Sequence, residues 1–400
     1  MTRKPTRRTF LTRSALIGCC AAASPLLTPL SFAAAPWDTR LVVIILRGGM
    51  DGLDVVQPWG APEFAGLRGK ADGPDEGAYD LDGFFFLHPG LAPLIPLWAK
   101  GDLGFVHAVA TPYRDKRSHF DGQDLLEAGT PSLAGVRDGW LNRMLQSLPG
   151  IEGQTAFAIG NGEMKLLDGP APVADWSPDA NLEMTPQAVR LAEMVMQDDP
   201  AFHAALSEAL MLSGDRRVLN ASGPGKMAVP RRKRGQAHLK NAEFAARQLR
   251  GDARIASFSI NGWDTHNRQD RALKGALTRL SDTIVSLQQR LEGEIWQKTA
   301  IVAMTEFGRT VRLNGTGGTD HGTGGAMVLA GGAIRGGRVL GDWPGLDEAS
   351  LYARRDLMPT SDVRAPAAWI MRAMTGLDRQ TLESAVFPGL QMGRDPGLML

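Results

Sequence analysis

The stretch from Leu41 to Leu46 is an unbroken run of leucine, valine and isoleucine, and it constrains the fold more than any other part of the sequence. A strand with one solvated face would alternate apolar and polar residues, so an unbroken run indicates a strand that is buried on both faces. Such strands occur mainly in parallel sheets that are covered by helices. The run leads into Arg47 to Gly52, a turn rich in glycine that places polar residues directly after the strand.

Further apolar runs predict more strands, and one long stretch between two of them predicts a helix. From Leu273 to Leu291, leucine and isoleucine recur at alternating steps of four and three, which gives one apolar stripe on a helix. A second helix is predicted from about Ser118 to Ala128. Alternating strands and helices are typical of an α/β fold with a mostly parallel central sheet and helices on both faces. The additional strands are predicted at residues 103–109, 156–159, 255–260, 299–304 and 326–330.

The first 35 residues have the pattern of an export signal. The paired arginine and the following Phe-Leu within residues 7–11 resemble the twin-arginine signal, and the alanine run at 33–35 offers cleavage sites. An ordinary secretory signal with a basic start is the alternative. We expect residues 1–35 to be removed during export through the twin-arginine translocase, which leaves residues 36–400 in the periplasm or outside the cell.

The apolar part of this signal does not predict a stable membrane span. Residues 15–30 are interrupted by Pro25 and Pro29 and are fewer than the roughly 20 apolar residues that a span requires. Both cysteines, Cys19 and Cys20, lie here, and lipidation of Cys19 stays open. After cleavage the protein has no thiol, so no cysteine can serve as nucleophile or metal ligand.

Charge and composition bound the remaining chain. The formal net charge is +1, which argues against nucleic acid as a partner recognised by bulk charge. Residues 161–226 contain proline, glycine and polar breaks around one predicted helical stretch, and we interpret them as an insertion or a cap on the main domain.

Acidic and histidine residues lie beside four of the predicted strands, at the strand ends. Because the carboxyl ends of parallel strands share one edge of a sheet, side chains far apart in sequence can converge there. Carboxylates and imidazoles are ligands for Zn²⁺, Mn²⁺, Mg²⁺ or Ca²⁺. Each residue taken alone could equally hold a turn or cap a helix. Together they predict a divalent metal site formed by Asp51, Asp264, His266, Glu306, Asp320 and His321.

Ser118 has two compatible interpretations. With Asp121 three residues later, it forms the pattern of a capping box at the start of a helix. It could also act as a nucleophile, since a helix N-terminus stabilises negative charge. An arginine could grip the oxygens of an anionic substrate, and the candidates near the predicted site are Arg47, Arg114, Arg117 and Arg309.

The chain resembles the family named domain of unknown function 1501 through five segments spread over about residues 40–375: RGGMDGLD, RSHFDGQDLLEAG, GWDTH, TEFGRT and GTDHGTGGAMVLAGGAIRGGRVLGDWPGL. More broadly, the order of these motifs is similar to that of the alkaline phosphatase superfamily, which includes sulfatases and cofactor-independent phosphoglycerate mutases. The resemblance implies an alkaline phosphatase-like fold and metal chemistry, without an established substrate.

The resemblance also implies roles for individual residues. It makes Asp51 the metal ligand of the first strand and Glu306 a ligand of a second metal, and it assigns to the other metal Asp264, His266 and His321. Asp264 and His266 are two residues apart, where alkaline phosphatases space the equivalent pair by four, so one of them could act indirectly. Phe307 follows Glu306 where those enzymes have histidine, which leaves open a single metal, a Mg²⁺ or Ca²⁺ site, or no catalytic metal.

The implied activity is hydrolysis of a phosphate or related ester of a small molecule, with Ser118 as nucleophile or its counterpart. Of the four arginines near the predicted site, Arg309 is our candidate for the catalytic contact with the substrate. Ser118 lacks the Cys-x-Pro-x-Arg surroundings of sulfatases, which argues against formylglycine, yet a sulfate ester stays open as substrate. The contrasting hypothesis is an exported, non-catalytic binding or assembly protein that retains the fold, which the Phe307 departure favours.

Overall fold

The structure is a computed structural model and describes residues 37–70, 73–114, 117–134, 138–151, 153, 155–160, 164–176 and 236–400. The predicted export signal at 1–35 lies outside the described residues, and so does the predicted insertion at 161–226, apart from residues 164–176. No helix within the described part of the chain is both long and apolar enough to cross a bilayer.

Two sheets contain all the strands of the described residues. The strands are β1 (Arg40–Arg47), β2 (Val56–Gln57), β3 (Tyr79–Asp80), β4 (Phe86–Leu87), β5 (Leu103–Ala110), β6 (Ala156–Ile159), β7 (Ala174–Trp176), β8 (Ile255–Asn261), β9 (Thr299–Met304), β10 (Gly325–Ala330), β11 (Val339–Leu340) and β12 (Ser361–Asp362). Nine of them form the central sheet in the order β11-β5-β10-β9-β1-β8-β6-β7, with β12 beside β5. The other three form a small sheet in the order β2-β4-β3.

The helices that accompany these strands differ greatly in length. They are α1 (Gly52–Val55), α2 (Phe64–Arg68), α3 (Ile95–Lys100), α4 (His119–Ala128), α5 (Trp140–Gln146), α6 (Ala237–Leu249), α7 (Gln269–Arg290), α8 (Glu294–Gln297), α9 (Arg364–Thr375) and α10 (Arg379–Thr381). Short 3₁₀ turns lie at Pro89–Leu94, Lys165–Leu167 and Glu348–Ser350, and a π-helical turn at Leu382–Val386.

Strand β1 is buried on both faces, as its unbroken apolar run predicts. It pairs in parallel with β8 on one side and with β9 on the other. Its odd-numbered residues from Leu41 to Ile45 pack in one apolar cluster with residues of α5 and α9. The even-numbered residues from Val42 to Leu46 point to the opposite face and are 0% exposed. The predicted α/β class with a mostly parallel sheet and helices on both faces is confirmed.

The long predicted helix is α7, and its apolar stripe is buried. Leu273, Leu277, Leu280, Ile284 and Leu287 are each no more than 1% exposed. The helix contacts β8 and α6, so the stripe that the sequence shows is the face that packs on the fold.

Strand β10 is the exception to the parallel arrangement, since it runs antiparallel to both neighbours, β5 and β9. Because of this reversal, the residues before β10 lie at the same edge as the residues that follow β1, β8 and β9. Asp320 and His321 precede β10 in the chain. In a wholly parallel sheet they would lie at the opposite edge, so the antiparallel strand is what allows convergence.

Candidate metal centre

Four side chains from three parts of the chain meet at this edge of the sheet. The Oδ1 atom of Asp264 lies 3.5 Å from Nε2 of His119 and 3.4 Å from Nε2 of His321. The Nε2 atom of His266 lies 3.0 Å from the same oxygen and 2.9 Å from Nε2 of His321. The ligand atoms of His119, Asp264 and His321 all lie within 4.8 Å of one another, close enough to hold one ion.

The spacing of these atoms suits a cation. Ligands that lie about 2.0–2.1 Å from a tetrahedrally coordinated Zn²⁺ are separated from one another by about 3.3 Å. The separations of Asp264 Oδ1 from His119 and His321 are close to this value. Moreover, Nε2 of His119 is buried and has no hydrogen-bond partner, which is costly unless a further group occupies the site. The donor set therefore fits a bound divalent cation.

The far nitrogen of each imidazole faces a hydrogen-bond acceptor. The Nδ1 atom of His119 lies 2.8 Å from Glu306 Oε1, and that of His321 lies 3.0 Å from the carbonyl oxygen of Arg117. Nδ1 of His266 lies 3.3 Å from Asp320 Oδ1. These partners assign the proton to Nδ1 in each neutral ring and leave the Nε2 lone pair directed at the centre. Histidines that bind metals are commonly oriented in this way.

Glu306 is buried beneath His119 and is itself fully hydrogen-bonded. Its Oε1 accepts from the backbone N–H of Gly48 at 2.9 Å and from Nε2 of Gln123 at 3.0 Å, in addition to His119. Its Oε2 accepts from the hydroxyl of Thr305 at 2.9 Å. Burial alone would raise the pKa of Glu306, but the hydrogen bonds from His119 and Gln123 outweigh it and hold the pKa below its ordinary value. Glu306 therefore orients His119, and it is not among the atoms that converge on Asp264.

The imidazoles of His119 and His321 respond to their surroundings in opposite ways. The hydrogen bond to Glu306, only partly offset by burial, raises the pKa of His119 above its ordinary value. Burial, followed by the positive charge of Arg309, lowers the pKa of His321. The neutral, metal-binding form is thus favoured at His321, whereas at His119 a cation competes with a proton.

Arg309 is completely buried beside the centre and holds its loops together. Its Nε donates to the carbonyl of Gly49 at 2.7 Å, and its Nη1 donates to the carbonyl of Thr319 at 3.1 Å. Its Nη2 donates to Asp264 Oδ1 at 2.6 Å and to the carbonyls of Trp263 and Gly48. Each guanidinium nitrogen thus has a protein partner, and the geometry supports a positioning role for Arg309 more than contact with a substrate.

Asp51 is placed apart from the converging atoms, in a buried ion pair. Its two oxygens accept from Arg68 at 2.6 and 2.9 Å, and Gln269 donates to Oδ2 at 2.6 Å. Burial would raise the pKa of Asp51, but the adjacent Arg68 guanidinium outweighs this and lowers it. Asp51 also caps α1 by accepting from the N–H groups of Leu53 and Asp54. The carboxylate is therefore charged, but its lone pairs are already engaged.

Ser118 directly precedes His119 in the chain and caps α4. Its Oγ accepts from the N–H of Asp121 at 3.3 Å, and its own N–H donates to the hydroxyl of Tyr113 at 2.9 Å. The residues on either side of it both contact the centre, Arg117 through its carbonyl and His119 through its imidazole. The helix ends at Gly129 in the left-handed conformation, with φ at 65°.

Glycines allow the loops of the centre to approach closely. A Cβ atom at Gly318 would lie 2.2 Å from the carbonyl carbon of His266, and one at Gly322 would lie 2.4 Å from that of Arg309. No larger residue fits either position without movement of the backbone. The glycine-rich segment thus brings His321 beside His266.

His119 is the functional candidate that the sequence interpretation misses. It directly follows Ser118, and the serine hydroxyl is the more obvious catalytic candidate of the two side chains. The available signal is its spacing, because His119, Gln123 and Glu127 recur every four residues and so share one face of α4.

Comparisons with solved structures find matches at low sequence identity and with TM-scores below 0.5. Ps i-CgsB in complex with k-i-k-neocarrahexaose is 12% identical, over 86% of this chain and 73% of that one, with a TM-score of 0.42. A protein in the alkaline phosphatase superfamily from Vibrio parahaemolyticus is 11% identical, over 95% and 79%, with a TM-score of 0.38. The C-terminal periplasmic domain of EcEptC from Escherichia coli is 10% identical, over 93% and 96%, with a TM-score of 0.38.

Sequence comparison gives a firmer result. No curated protein matches the chain. The family described as "Protein of unknown function (DUF1501)" matches residues 110–372, which is well over half of the chain and includes every residue of the centre. The family predicted from the five sequence segments is thereby confirmed, and the chain belongs to the DUF1501 family.

Proposed function

We propose that this protein is an exported, metal-dependent hydrolase of a phosphate or related ester. One divalent cation would be held by His119, Asp264 and His321, with His266 as an adjacent donor. The observation that carries the proposal is that three imidazoles direct Nε2 at a single carboxylate oxygen while an acceptor holds each Nδ1. Without a proton or a cation between them, these lone pairs would repel one another.

The donor set also favours one class of metal. Mg²⁺ and Ca²⁺ prefer oxygen ligands, whereas imidazole suits Zn²⁺ and other transition metals. With two or three imidazoles and one carboxylate, we propose a transition metal of the zinc type. When bound, such an ion would lower the pKa of a coordinated hydroxyl and polarise an ester oxygen.

The chain's own residues would supply the remaining chemistry. Ser118 stands at the N-terminus of α4, where backbone N–H groups and the helix dipole favour an anionic ester group. Its hydroxyl would attack the phosphorus and release the leaving alcohol, after which water would free the serine. Arg309 would keep Asp264 ionised and in place, and Glu306 would fix the ring of His119.

The proposed location follows from the sequence alone. Residues 1–35 would direct the folded protein through the twin-arginine translocase, a route that exports proteins with their cofactors already inserted. A metal centre assembled before export would be consistent with this route.

Ser118 separates the nucleophile role from the cap role. We expect Ser118→Asp to fold and to bind metal like the wild type, because aspartate caps helices well. It should nevertheless lose ester hydrolysis, because a carboxylate cannot repeat the serine chemistry. Ser118→Ala should also be inactive, with a loss of about 1 kcal/mol in the free energy of unfolding. The assay is release of alcohol from a panel of phosphate and sulfate esters with Zn²⁺ or Mn²⁺ supplied.

An active Ser118→Asp protein would remove serine as the nucleophile. Asp124→Asn, at an exposed position of the same helix, is the control and should keep full activity.

A non-catalytic metal-binding protein is the second candidate. Arg68 and Gln269 already engage Asp51, so the described residues offer a single cation position rather than two. A wild type that binds Zn²⁺ but hydrolyses none of the panel would favour a binding or assembly role over hydrolysis.

A further inference from the structure

One face of α4 carries three polar side chains that connect the metal centre to Arg47, the last residue of β1. His119, Gln123 and Glu127 are spaced four residues apart, so they lie above one another along the helix. Gln123 lies between the other two and contacts Glu306.

The hydrogen bonds of Gln123 fix the orientation of its amide. Nη1 of Arg47 donates to Gln123 Oε1 at 2.6 Å, and Nη2 of Arg47 lies 2.6 Å from Glu127 Oε1. Because a guanidinium only donates, the amide oxygen must face Arg47 and the amide NH₂ must face Glu306. Nε2 of Gln123 donates to Glu306 Oε1 at 3.0 Å, the same oxygen that accepts from His119.

We infer that Gln123 is a positioning residue of the metal centre, acting through Glu306 on His119. This inference rests on the proposed metal site. Gln123 restricts where Oε1 of Glu306 can lie, since the Glu306 side chain is 0% exposed and bulk water cannot reach it to replace a lost donor. The fixed oxygen then holds the Nδ1 proton of His119 and directs Nε2 towards Asp264.

The side chain on the far side of Gln123 is also held firmly. The Glu127 carboxylate is 3% exposed, and its Oε2 accepts from the N–H of Leu166 at 3.2 Å. Arg47 is thus anchored by a buried carboxylate and cannot easily turn away from Gln123. An ion pair and three hydrogen bonds therefore link the side chains in the order Glu127, Arg47, Gln123, Glu306 and His119.

Replacing Gln123 by methionine tests the inference, because methionine has a similar length but donates no hydrogen bond. Partners that orient metal-binding histidines typically contribute 10- to 100-fold to metal affinity. We expect Gln123→Met to weaken Co²⁺ binding by about 10-fold in competition with a chelator. The visible absorption of the bound Co²⁺ should also change, because His119 is no longer held in one orientation. A purely structural role would lower stability without altering that spectrum.

Gln123→Glu is the second variant and keeps the size and shape of the side chain. Its carboxylate would face Glu306, and the repulsion should weaken Co²⁺ binding further than the methionine does. Gln146→Met is the matched control, since Gln146 is also a hydrogen-bonded helical glutamine but contacts Asp138 and Asn142 instead. It should bind Co²⁺ like the wild type.

The outcomes distinguish this inference from the proposed function. If the wild type and both Gln123 variants bind Co²⁺ with equal affinity and the same spectrum, Gln123 does not position the centre, although the centre itself stands. If the wild type binds no Co²⁺, the metal centre and the role of Gln123 both fail. Weaker binding confined to the Gln123 variants supports the inference.

Discussion

Arg309→Met is expected to reduce the free energy of unfolding by about 3 kcal/mol, because each buried carbonyl that loses its donor costs about 1–3 kcal/mol. The Arg309 side chain is 0% exposed. Its loss leaves the carbonyls of Gly48, Gly49 and Thr319 without this donor, and the methionine side chain has no N–H group to replace it. Urea unfolding of the metal-free protein, with a chelator present, measures the effect without a contribution from bound metal.

Arg312→Met is the matched control for this prediction. Arg312 is exposed and lies only three residues further along the chain. Its replacement should change the free energy of unfolding by less than about 0.5 kcal/mol. Equal stability of the two variants would show that Arg309 does not hold the loops together.

Replacing a ligand should have the largest effect on metal binding. Because partners that only orient a ligand contribute up to about 100-fold, we expect His119→Ala and His321→Ala each to weaken Zn²⁺ binding by about 100-fold or more. The melting temperature of the Zn²⁺-loaded variants should fall towards that of the metal-free protein, since an ion that binds only the folded state stabilises it by mass action. Chelator competition and thermal unfolding with and without Zn²⁺ measure both effects.

His88→Ala provides the histidine control. Its imidazole accepts from the N–H of Gly90 at the start of a 3₁₀ turn and lies outside the centre. Zn²⁺ affinity in this variant should equal that of the wild type. Unchanged affinity in both His119→Ala and His321→Ala would contradict the assignment of these residues as ligands.

Much of the fold is predictable because burial leaves a direct mark on the sequence. A strand that packs on both faces requires an unbroken apolar run, and β1 and β9 have one. The stripe of α7 repeats with the helical period because only one face is buried. The direction of β10 leaves no such mark, since an apolar strand of six residues is equally suited to parallel or antiparallel pairing.

The candidate site is predictable only in part, for a different reason. Asp264, His266 and His321 lie in short motifs at strand ends, so the topology brings them together. Asp51 forms an ion pair with Arg68, which lies seventeen residues away in the sequence, and no local sequence pattern predicts that ion pair. Likewise, no sequence pattern shows that Glu306 orients His119 instead of binding the metal itself. That role depends on where the ring of His119 lies, and the packing of α4 against the end of β9 determines the position of the ring.

X-ray absorption spectroscopy of the Zn²⁺-loaded protein tests the central claim most directly, because imidazole rings give a recognisable scattering pattern around a bound metal. We expect one Zn²⁺ per chain with at least two imidazole nitrogens and a carboxylate oxygen, all at about 2.0–2.2 Å. His119→Ala should have one imidazole fewer. A spectrum with only oxygen ligands, or one that is unchanged in His119→Ala, would contradict a metal centre built from His119, Asp264 and His321.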